Sequence, residues 1–353
     1  MISPLAWLMA ARDLQWRWRR FAIGAAGISL AFALTLLLSG FSDGISLESK
    51  QTLRQLRADG FVVREGVHGP FTTTAQLPVS LVDQVRRQPG VKRADPMVSV
   101  RHTIDSKPEV DVYVIGTVPG GLGSPHPTKG RAPARSGEAV IDGRGQRSIG
   151  DTFELGGRRF VVVGLVHNNS VWGGVPDIYI PLADAQDLLL AGQPNATAIL
   201  TTGVPQAAPA GTRVLNFSQA LDDLKRPVAN SYATINLLKV LVWIVAAAIV
   251  GSLLYVSALE RNRDFAVCKA FGTAGRDLVA ALAIEAVILA AASAVGGLGL
   301  SRVLVGLFPS VISFPARTVL LLPVVAVLIG MIGSAAGARR ALSIDPATAF
   351  GGP

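Results

Sequence analysis

The sequence predicts a membrane α-helical protein with four transmembrane helices and a large mixed α/β extracytoplasmic domain inserted between helices 1 and 2. Three observations lead to this prediction. Half of the 353 residues are hydrophobic, only 16% are charged, and the mean hydropathy is +0.44, whereas soluble chains of this length carry more charge. The apolar residues are gathered into four long runs. Lysine and arginine cluster at the edges of these runs, while most of the polar residues form one block between the first and second run.

The four runs predict transmembrane helices at 21–41, 240–259, 278–307 and 319–338. The first run carries no charge and is long enough to cross a hydrocarbon core of about 30 Å at about 1.5 Å per residue. A cleaved signal peptide is the alternative, but its apolar core would span only about 7–15 residues. Because backbone groups in lipid must be satisfied internally, each run is expected to be helical.

Segment 1–20, which precedes the first run, mixes tryptophan with arginine. Trp7, Trp16 and Trp18 alternate with Arg12 and Arg17, a composition typical of an interfacial helix whose indoles anchor it at the membrane surface. We therefore expect membrane lipid to contact this segment and the first run to remain uncleaved.

The distribution of basic residues predicts the orientation. They are concentrated in segment 1–20, in the loop 260–277 and in the tail 339–353. Four spans place both termini on one side, and the positive-inside rule makes that side the cytoplasm of a multi-pass protein in a bacterial plasma membrane. The net charge of +9 arises largely at these edges, so the chain lacks the basic surface typical of nucleic-acid binding.

The polar block 42–239 is expected to fold outside the membrane as two subdomains, at about 60–118 and 136–217. Helical stalks are predicted at 44–59 and 218–239, and a Gly/Pro-rich linker at 118–135. In the first subdomain the pattern predicts a helix that begins after Ser80 as N-cap and ends at Pro89-Gly90. The predicted strands are 61–63, 98–100, 110–115, 139–141, 152–155, 159–166 and 177–180, with a hairpin turn at Gly156-Gly157 and a helix at 182–190. Cys268 is the only cysteine, so no intramolecular disulfide is expected.

No enzymatic motif is found in the sequence. It contains no GxxxxGK[ST] nucleotide loop, no GxSxG and no HExxH, so no catalytic residue, metal or cofactor is predicted in this chain. The segments 120–123 and 143–145 are glycine-rich but are interpreted as turns, and the neighbours Asp222 and Asp223 cannot face each other on a helix. The histidines are most simply surface or loop residues, although their gathering to hold a metal or haem remains an alternative: His68, His102, His126 and His167.

The third run contains an acidic residue and a set of small residues. Glu285 can be a proton or substrate site, because charges inside a membrane are costly. Alternatively, it is neutral or hydrogen-bonded to a neighbouring helix. Gly296, Gly297 and Gly299 allow a second helix to approach closely, and that helix belongs either to this chain or to a second copy.

The segment after the second run predicts a short amphipathic helix. Its polar residues are followed by apolar residues at helical spacing, and Gly272 can end the helix. Such a helix can lie on lipid or in a groove of a soluble partner. The apolar positions are Phe265, Ala266, Val267, Ala270 and Phe271.

This segment resembles the coupling loop of the MacB/FtsX-type ABC transporter permease family. The N-terminal segment 4–7, with Gly27-Ile28 and Gly40-Phe41, looks like the DevC-like branch of that family. Asp264 replaces the family's usual glutamate, and Cys268 occupies an apolar position. Segments 4–7, 150–153, 179–182 and 338–346 are also similar to the family, so the resemblance covers the whole chain. The residues that match the loop motif are Glu260, Arg261, Arg263, Asp264, Phe265, Lys269, Ala270 and Gly272.

The resemblance implies a permease without enzymatic activity of its own, which pairs with a second permease chain, most simply as a homodimer. A cytoplasmic ABC ATPase dimer would hold ATP and magnesium, and an extracytoplasmic adaptor protein is a further expected partner. The matching residues would dock on the ATPase, with Arg261, Arg263 and Lys269 meeting acidic or carbonyl groups.

In this family ATP binding is coupled to movement of the outer domains, called mechanotransmission, and here it would drive efflux of a hydrophobic or amphipathic substrate. Two alternatives remain at this point. One is an FtsX-like regulator of a cell-wall hydrolase, and the other is a membrane sensor that has no ATPase.

Overall fold

The computed structural model describes residues 4–104, 110–143, 147–167, 175–307 and 316–343. The chain forms two compact units. The helical unit comprises residues 1–43 and 233–353, and the sheet unit comprises residues 44–232. The predicted tail 339–353 lies outside the described residues from position 344 onward, as do Arg144 and Gly145 of the predicted turn.

Six helices contribute to the helical unit in the described part of the chain. Three of the chain's apolar helical stretches are long enough to cross a membrane by length and composition, namely Trp18–Gln55, Phe217–Glu260 and Gly275–Leu304. The last helix contains a shorter apolar stretch, Val319–Ile332. The helices are α1 (Pro4–Trp16), α2 (Trp18–Gln55), α6 (Ala229–Glu260), α7 (Asn262–Ala270), α8 (Gly275–Leu304) and α9 (Ala316–Ser343).

The core of the helical unit lies between α2, α6, α8 and α9. Buried side chains from all four helices form one apolar cluster, which includes Phe32, Val250, Leu289 and Ile329. The burial of these side chains removes their apolar surface from solvent, whether water or lipid surrounds the outer face. The helices therefore contact one another through a common interior.

Two of the three predicted packing glycines lie at a close helix contact. A Cβ atom added at Gly296 would lie 2.5 Å from Ser29 Oγ, and one added at Gly297 would lie 2.6 Å from Phe32 Cβ. A Cβ at Gly299 would meet nothing within 4 Å. The helix that packs on this face is therefore α2 of the same chain, and Gly299 does not contribute to the contact.

The sheet unit is built on a ten-stranded mixed sheet with the order β12-β1-β11-β3-β4-β9-β6-β8-β5, in which β7 pairs with β8. The pairs β4–β9 and β6–β8 are parallel, and the others are antiparallel. A separate two-stranded sheet joins β2 to β10. The strands are β1 (Gly60–Arg64), β2 (Leu77–Pro78), β3 (Arg93–Ile104), β4 (Val110–Thr117), β5 (Lys129–Gly130), β6 (Glu138–Asp142), β7 (Thr152–Leu155), β8 (Arg158–Val166), β9 (Asp177–Pro181), β10 (Asn195–Ala196), β11 (Ala198–Thr202) and β12 (Thr212–Asn216).

Among the described residues, three α-helices belong wholly to the sheet unit: α3 (Leu81–Arg86), α4 (Leu182–Leu189) and α5 (Phe217–Lys225). Ser80 occupies the N-cap position of α3, but its side chain makes no capping hydrogen bond. Asn216 was not expected to act as a cap, yet it forms a capping box with Gln219 at the start of α5. This reciprocal pair satisfies two backbone N–H groups that the first turn leaves free.

The sheet joins segments that the sequence pattern assigns to different subdomains. β11 and β12 fall in the expected second subdomain, 136–217, but both pair with β1 of the first, through Phe61 with Leu200 and Phe61 with Leu215. β11 also pairs with β3. The two expected subdomains therefore share one continuous sheet.

Both expected stalks are helical, but the first ends earlier than expected and the second is interrupted. α2 continues beyond the first apolar run as far as Gln55. The second stalk is not one regular helix, because a 3₁₀ turn at Arg226–Val228 separates α5 from α6. Pro227 lies in this turn, where its missing N–H and its ring disfavour a regular α-helix.

The Gly/Pro-rich linker is attached to the sheet at its end. Arg131 donates from Nη1 to Glu138 Oε2 over 2.7 Å, and the backbone N–H of Ala134 donates to the same oxygen over 2.9 Å. The Arg131 guanidinium, together with the backbone N–H groups of Ala134 and Arg135, holds the pKa of Glu138 at about 2, well below its usual value. The linker is therefore fixed to the start of β6 at neutral pH.

Candidate functional site

The connection between α6 and α8 forms a short helix, as its sequence pattern predicts. α7 has nine residues, Asn262–Ala270, and Arg261 is its N-cap residue. Gly272 adopts a φ of +87°, in the left-handed region that glycine enters at little cost. The chain can therefore leave α7 sharply and enter α8 at Gly275.

One face of α7 is packed inside the helical unit. Phe265 and Ala266 are fully buried against Ala258 of α6 and Leu278 of α8. Met9 of α1 also packs on this cluster. The inner face of α7 therefore holds the helix against three neighbouring helices, and Phe265 is not available to a partner.

The opposite face of α7 is exposed. Its side chains follow each other at helical spacing, and Phe271, just after the helix, is 86% exposed. The set mixes one basic, one acidic and three apolar residues, and it is called the outer face of α7 from here on. It consists of Arg263, Asp264, Val267, Ala270 and Phe271.

Arg261 is turned away from this face and into the helical unit. It is only 8% exposed, and its Nη1 lies 3.0 Å from Glu285 Oε1 and 3.3 Å from Asp13 Oδ2. Its guanidinium carbon lies 4.8 Å from the centre of the Phe265 ring. The geometry therefore does not support the expectation that Arg261 meets an ATPase, because its side chain is occupied within the chain.

Glu285 is fully buried, and its Oε1 accepts a hydrogen bond from Arg261. For this oxygen, the alternative of a hydrogen bond to a neighbouring element is the one that the geometry supports. Its Oε2 is also buried, and no hydrogen-bond partner for it lies among the described residues. Removal of the Arg261 side chain alone would leave the Glu285 carboxylate buried without an opposite charge. Such a change is strongly destabilising.

A second set of ion pairs lies beside the first. Glu260, the last residue of α6, pairs with Arg17 and accepts a hydrogen bond from Arg20 Nη1 over 2.9 Å. Arg20 also donates from Nη2 to the backbone oxygen of Leu253 over 2.7 Å. The end of α6 is thus held by arginines from the start of α2 and from the residue before it.

The remaining residues of the predicted site have separate roles. Lys269 donates from Nζ to the backbone oxygen of Leu342 over 2.9 Å, which links α7 to α9. Arg263 and Asp264 lie on the exposed side. The sequence interpretation did not include Asp13, although an acid in an otherwise arginine-rich segment is the feature that could have identified it.

Three of the four histidines contact different residues. His68 Nδ1 lies 3.1 Å from Arg226 Nη1, and His167 Nδ1 lies 3.0 Å from Thr128 Oγ1. His102 bonds to the backbone of Thr103. In the described ranges no group of three or more metal-ligating side chains is found.

Comparison with known proteins gives family matches over nearly the whole chain. Residues 21–213 match the model of the MacB-like periplasmic core domain, and residues 236–346 match that of the FtsX-like permease C-terminal region. An uncharacterized ABC transporter permease of Mycobacterium tuberculosis is 40% identical over 345 residues, which are 98% of this chain and 99% of that protein. One from Mycobacterium bovis is 39% identical over the same shares.

Among solved structures, the periplasmic region of MacB from Actinobacillus actinomycetemcomitans is similar over 51% of this chain and 98% of that one. The TM-score is 0.35 and the sequence identity is 14%. A similarity at this level adds no argument to the family matches, which rest on the sequence.

Proposed function

This chain belongs to the MacB/FtsX-type family of ABC transporter permeases, and from that membership we propose that it is the membrane subunit of an exporter driven by mechanotransmission. An ABC permease implies a cytoplasmic ATPase as its partner. In our proposal ATP and magnesium are held by an ATPase dimer, and the resulting movement of the sheet unit drives efflux of a hydrophobic or amphipathic substrate.

The outer face of α7 is the observation that carries this proposal. A helix that packs one face inside its own chain and leaves a mixed charged and apolar face exposed has the surface that groove-binding helices present to a partner. The proposed contacts of the ATPase are with Arg263, Asp264 and Phe271. Arg261 and Phe265 support the helix from within and do not touch the ATPase.

The proposed assembly extends the expectations drawn from the sequence. We propose that α2, α6, α8 and α9 are four spans of the bacterial plasma membrane, with both termini in the cytoplasm. Two copies of the chain would meet on one ATPase dimer, and an extracytoplasmic adaptor would contact the sheet unit. The long α2, which is unbroken from Trp18 to Gln55, supports the idea that movement can be transmitted along a stiff element.

The experiment that tests this function compares two variants of the outer face with two matched controls. The full-length chain and its partner ATPase are placed in nanodiscs, and binding, ATP hydrolysis and substrate-stimulated hydrolysis are measured. Phe271→Asp and Arg263→Glu are expected to weaken ATPase binding at least about tenfold, because a buried anchor or a charged contact in an interface is commonly worth 1–3 kcal/mol or more.

Phe271→Leu and Arg302→Glu are the controls. The first keeps an apolar side chain on the outer face, and the second reverses an exposed charge near the other end of α8. Both should bind as the unaltered chain does. Unchanged binding and coupling in Phe271→Asp and Arg263→Glu would refute the outer face as the ATPase contact. Binding without any transport, but with activation of a cell-wall hydrolase, would instead favour the FtsX-like regulator.

A further inference from the structure

Two helix interruptions in the helical unit lie next to each other, and each is occupied by an arginine. α1 ends at Trp16 and α2 begins at Trp18, so Arg17 lies between them. In the same way α6 ends at Glu260 and α7 begins at Asn262, with Arg261 between them. Backbone hydrogen bonds still cross both positions, from Arg17 N–H to Asp13 O and from Phe265 N–H to Arg261 O, each over 2.9 Å. Residues between helices can nevertheless absorb changes of backbone angle when helices move as bodies.

One carboxylate joins the two interruptions. Asp13 Oδ1 lies 3.3 Å from Arg17 Nε, and Asp13 Oδ2 lies 3.3 Å from Arg261 Nη1. Ser257 Oγ donates a hydrogen bond to the same Oδ2 over 3.2 Å. Asp13 is only 8% exposed, so these contacts are little screened by water.

Apolar packing joins the same elements. Met9 of α1 lies against the cluster that contains Phe265 and Ala266 of α7. Ala6 and Ala10 of α1 pack against Ala281 of α8, together with Ile284. Small residues on α1 permit this close approach, so α1 has contacts both with the inner face of α7 and with the first half of α8.

We propose that Asp13 is a positioning residue that makes α1 and α7 move as one body about Arg17 and Arg261. The proposal rests on the proposed function, because the ATPase is what would displace α7. When α7 is pushed, the carboxylate keeps α1 with it, and α1 carries the displacement to α8 through Ala6 and Ala10. The amphipathic N-terminal helix is thereby part of the transmission.

The energetics of buried ion pairs favour a positioning role for Asp13 over a contribution to net stability. Buried ion pairs contribute little net stability compared with well-packed apolar residues, and their best-attested advantage is that they specify one arrangement of the elements they join. Asp13 makes such contacts to two interruptions at once. Its neutral isostere Asn keeps the size and an acceptor for Ser257 but loses the attraction to both arginines.

The test measures distances by electron spin resonance between spin labels on the full-length chain. In a Cys268→Ser background, one label pair is placed at Leu8→Cys and Ala270→Cys, which reports α1 against α7. A second pair at Ile244→Cys and Ala270→Cys reports α6 against α7. The native residues Leu8, Ile244 and Ala270 are exposed, so labels there need not disturb the packing of the chain. Because Ala270 belongs to the outer face of α7, ATPase binding is measured for the labelled and the unlabelled chain before distances are compared.

The first comparison is made without the ATPase. Asp13→Asn should broaden the α1–α7 distance distribution, whereas Asp277→Asn, which removes a carboxylate near the start of α8, should not. An unchanged distribution in Asp13→Asn would overturn the proposal. Should Asp13→Asn fail to accumulate in the membrane, Arg261→Lys is used. It keeps the charge but lacks the guanidinium Nη1, the atom that contacts both Asp13 and Glu285, and the same broadening is expected.

The second comparison adds the ATPase and a non-hydrolysable ATP analogue. The α6–α7 distance should shift while the α1–α7 distance stays within its resting distribution, and Asp13→Asn should reduce transport per ATP hydrolysed about tenfold, within the usual range of a coupling free energy. Equal shifts of both distances would overturn the proposal. Failure of the unlabelled chain to bind the ATPase would refute the proposed function alone, since the first comparison would still decide whether Asp13 joins the two helices.

Discussion

At the scale of single residues, two phenylalanines near α7 illustrate how burial decides a role. Phe265 is fully buried, whereas Phe271 is 86% exposed. The amphipathic pattern marks both as apolar positions of one helix, and it suggests Phe265→Asp as a variant that uncouples the ATPase without unfolding. The structure argues against that expectation, because a carboxylate at position 265 would be buried beside Ala258 and Leu278. The nearby Arg261 is already paired with two acids.

We expect Phe265→Ala to lower the free energy of unfolding by about 3–5 kcal/mol, as large-to-small substitutions of buried aromatic residues do. Phe271→Ala should change it by less than about 0.5 kcal/mol, because surface substitutions remove little buried area. Thermal unfolding of the two purified variants in the same detergent measures the difference. Equal stability of the two would contradict the assignment of an inner and an outer face to α7.

The sequence could predict that α7 is a helix but not which phenylalanine points inward. The helical period identifies a stripe of apolar residues, yet the inward face is defined by Met9, Ala258 and Leu278, which lie elsewhere in the chain. The same holds for Arg261. The sequence shows that Arg261 has the residue type of the coupling motif. Its partners Asp13 and Glu285 are identified only when α1 and α8 are placed beside it.

At the scale of elements, the close contact between α8 and α2 is set by backbone proximity. A side chain at Gly297 would meet Phe32 Cβ at 2.6 Å and the backbone oxygen of Ser29 at 2.9 Å. Backbone atoms cannot move aside as a flexible side chain can. Gly299, only two positions further on, faces open space.

We predict that Gly297→Ala destabilises the helical unit by about 1–3 kcal/mol, the usual cost of overpacking a filled interior. Gly299→Ala should be neutral, or stabilising by up to about 1 kcal/mol, because alanine favours the helix over glycine. Comparison of the unfolding temperatures of both variants tests this. A loss of stability in Gly299→Ala equal to that in Gly297→Ala would mean that helix α8 uses this face differently.

The sequence pattern located strand β7 but missed strand β11. The expected strand at 152–155 coincides with β7, whose burial alternates along the strand. β11 was not predicted; four of its five residues are buried, and it shows no alternation. Its place in the sheet, between β1 and β3, depends on partners distant in the chain, which no local pattern reveals.

At the scale of the whole molecule, the proposed orientation makes a prediction about accessibility. In a Cys268→Ser background, Ala270→Cys on the outer face of α7 should react with a membrane-impermeant thiol reagent only in inverted membrane vesicles. Ser80→Cys, exposed at the start of α3 in the sheet unit, should react only in intact spheroplasts. Reaction of both positions from the same side would refute the topology.

The ten-stranded sheet also constrains how the chain can fold. β1 lies between β11 and β12, so Gly60 pairs with Thr201 on one side and with Asn216 on the other. Both neighbours are made long after β1 during synthesis, and contacts of such high contact order form slowly. Until residues beyond 198 are available, β1 has two open edges, which are sites for aggregation. A fragment that ends before β11 therefore cannot be a folded smaller version of this domain, and its assembly must wait for almost the entire segment.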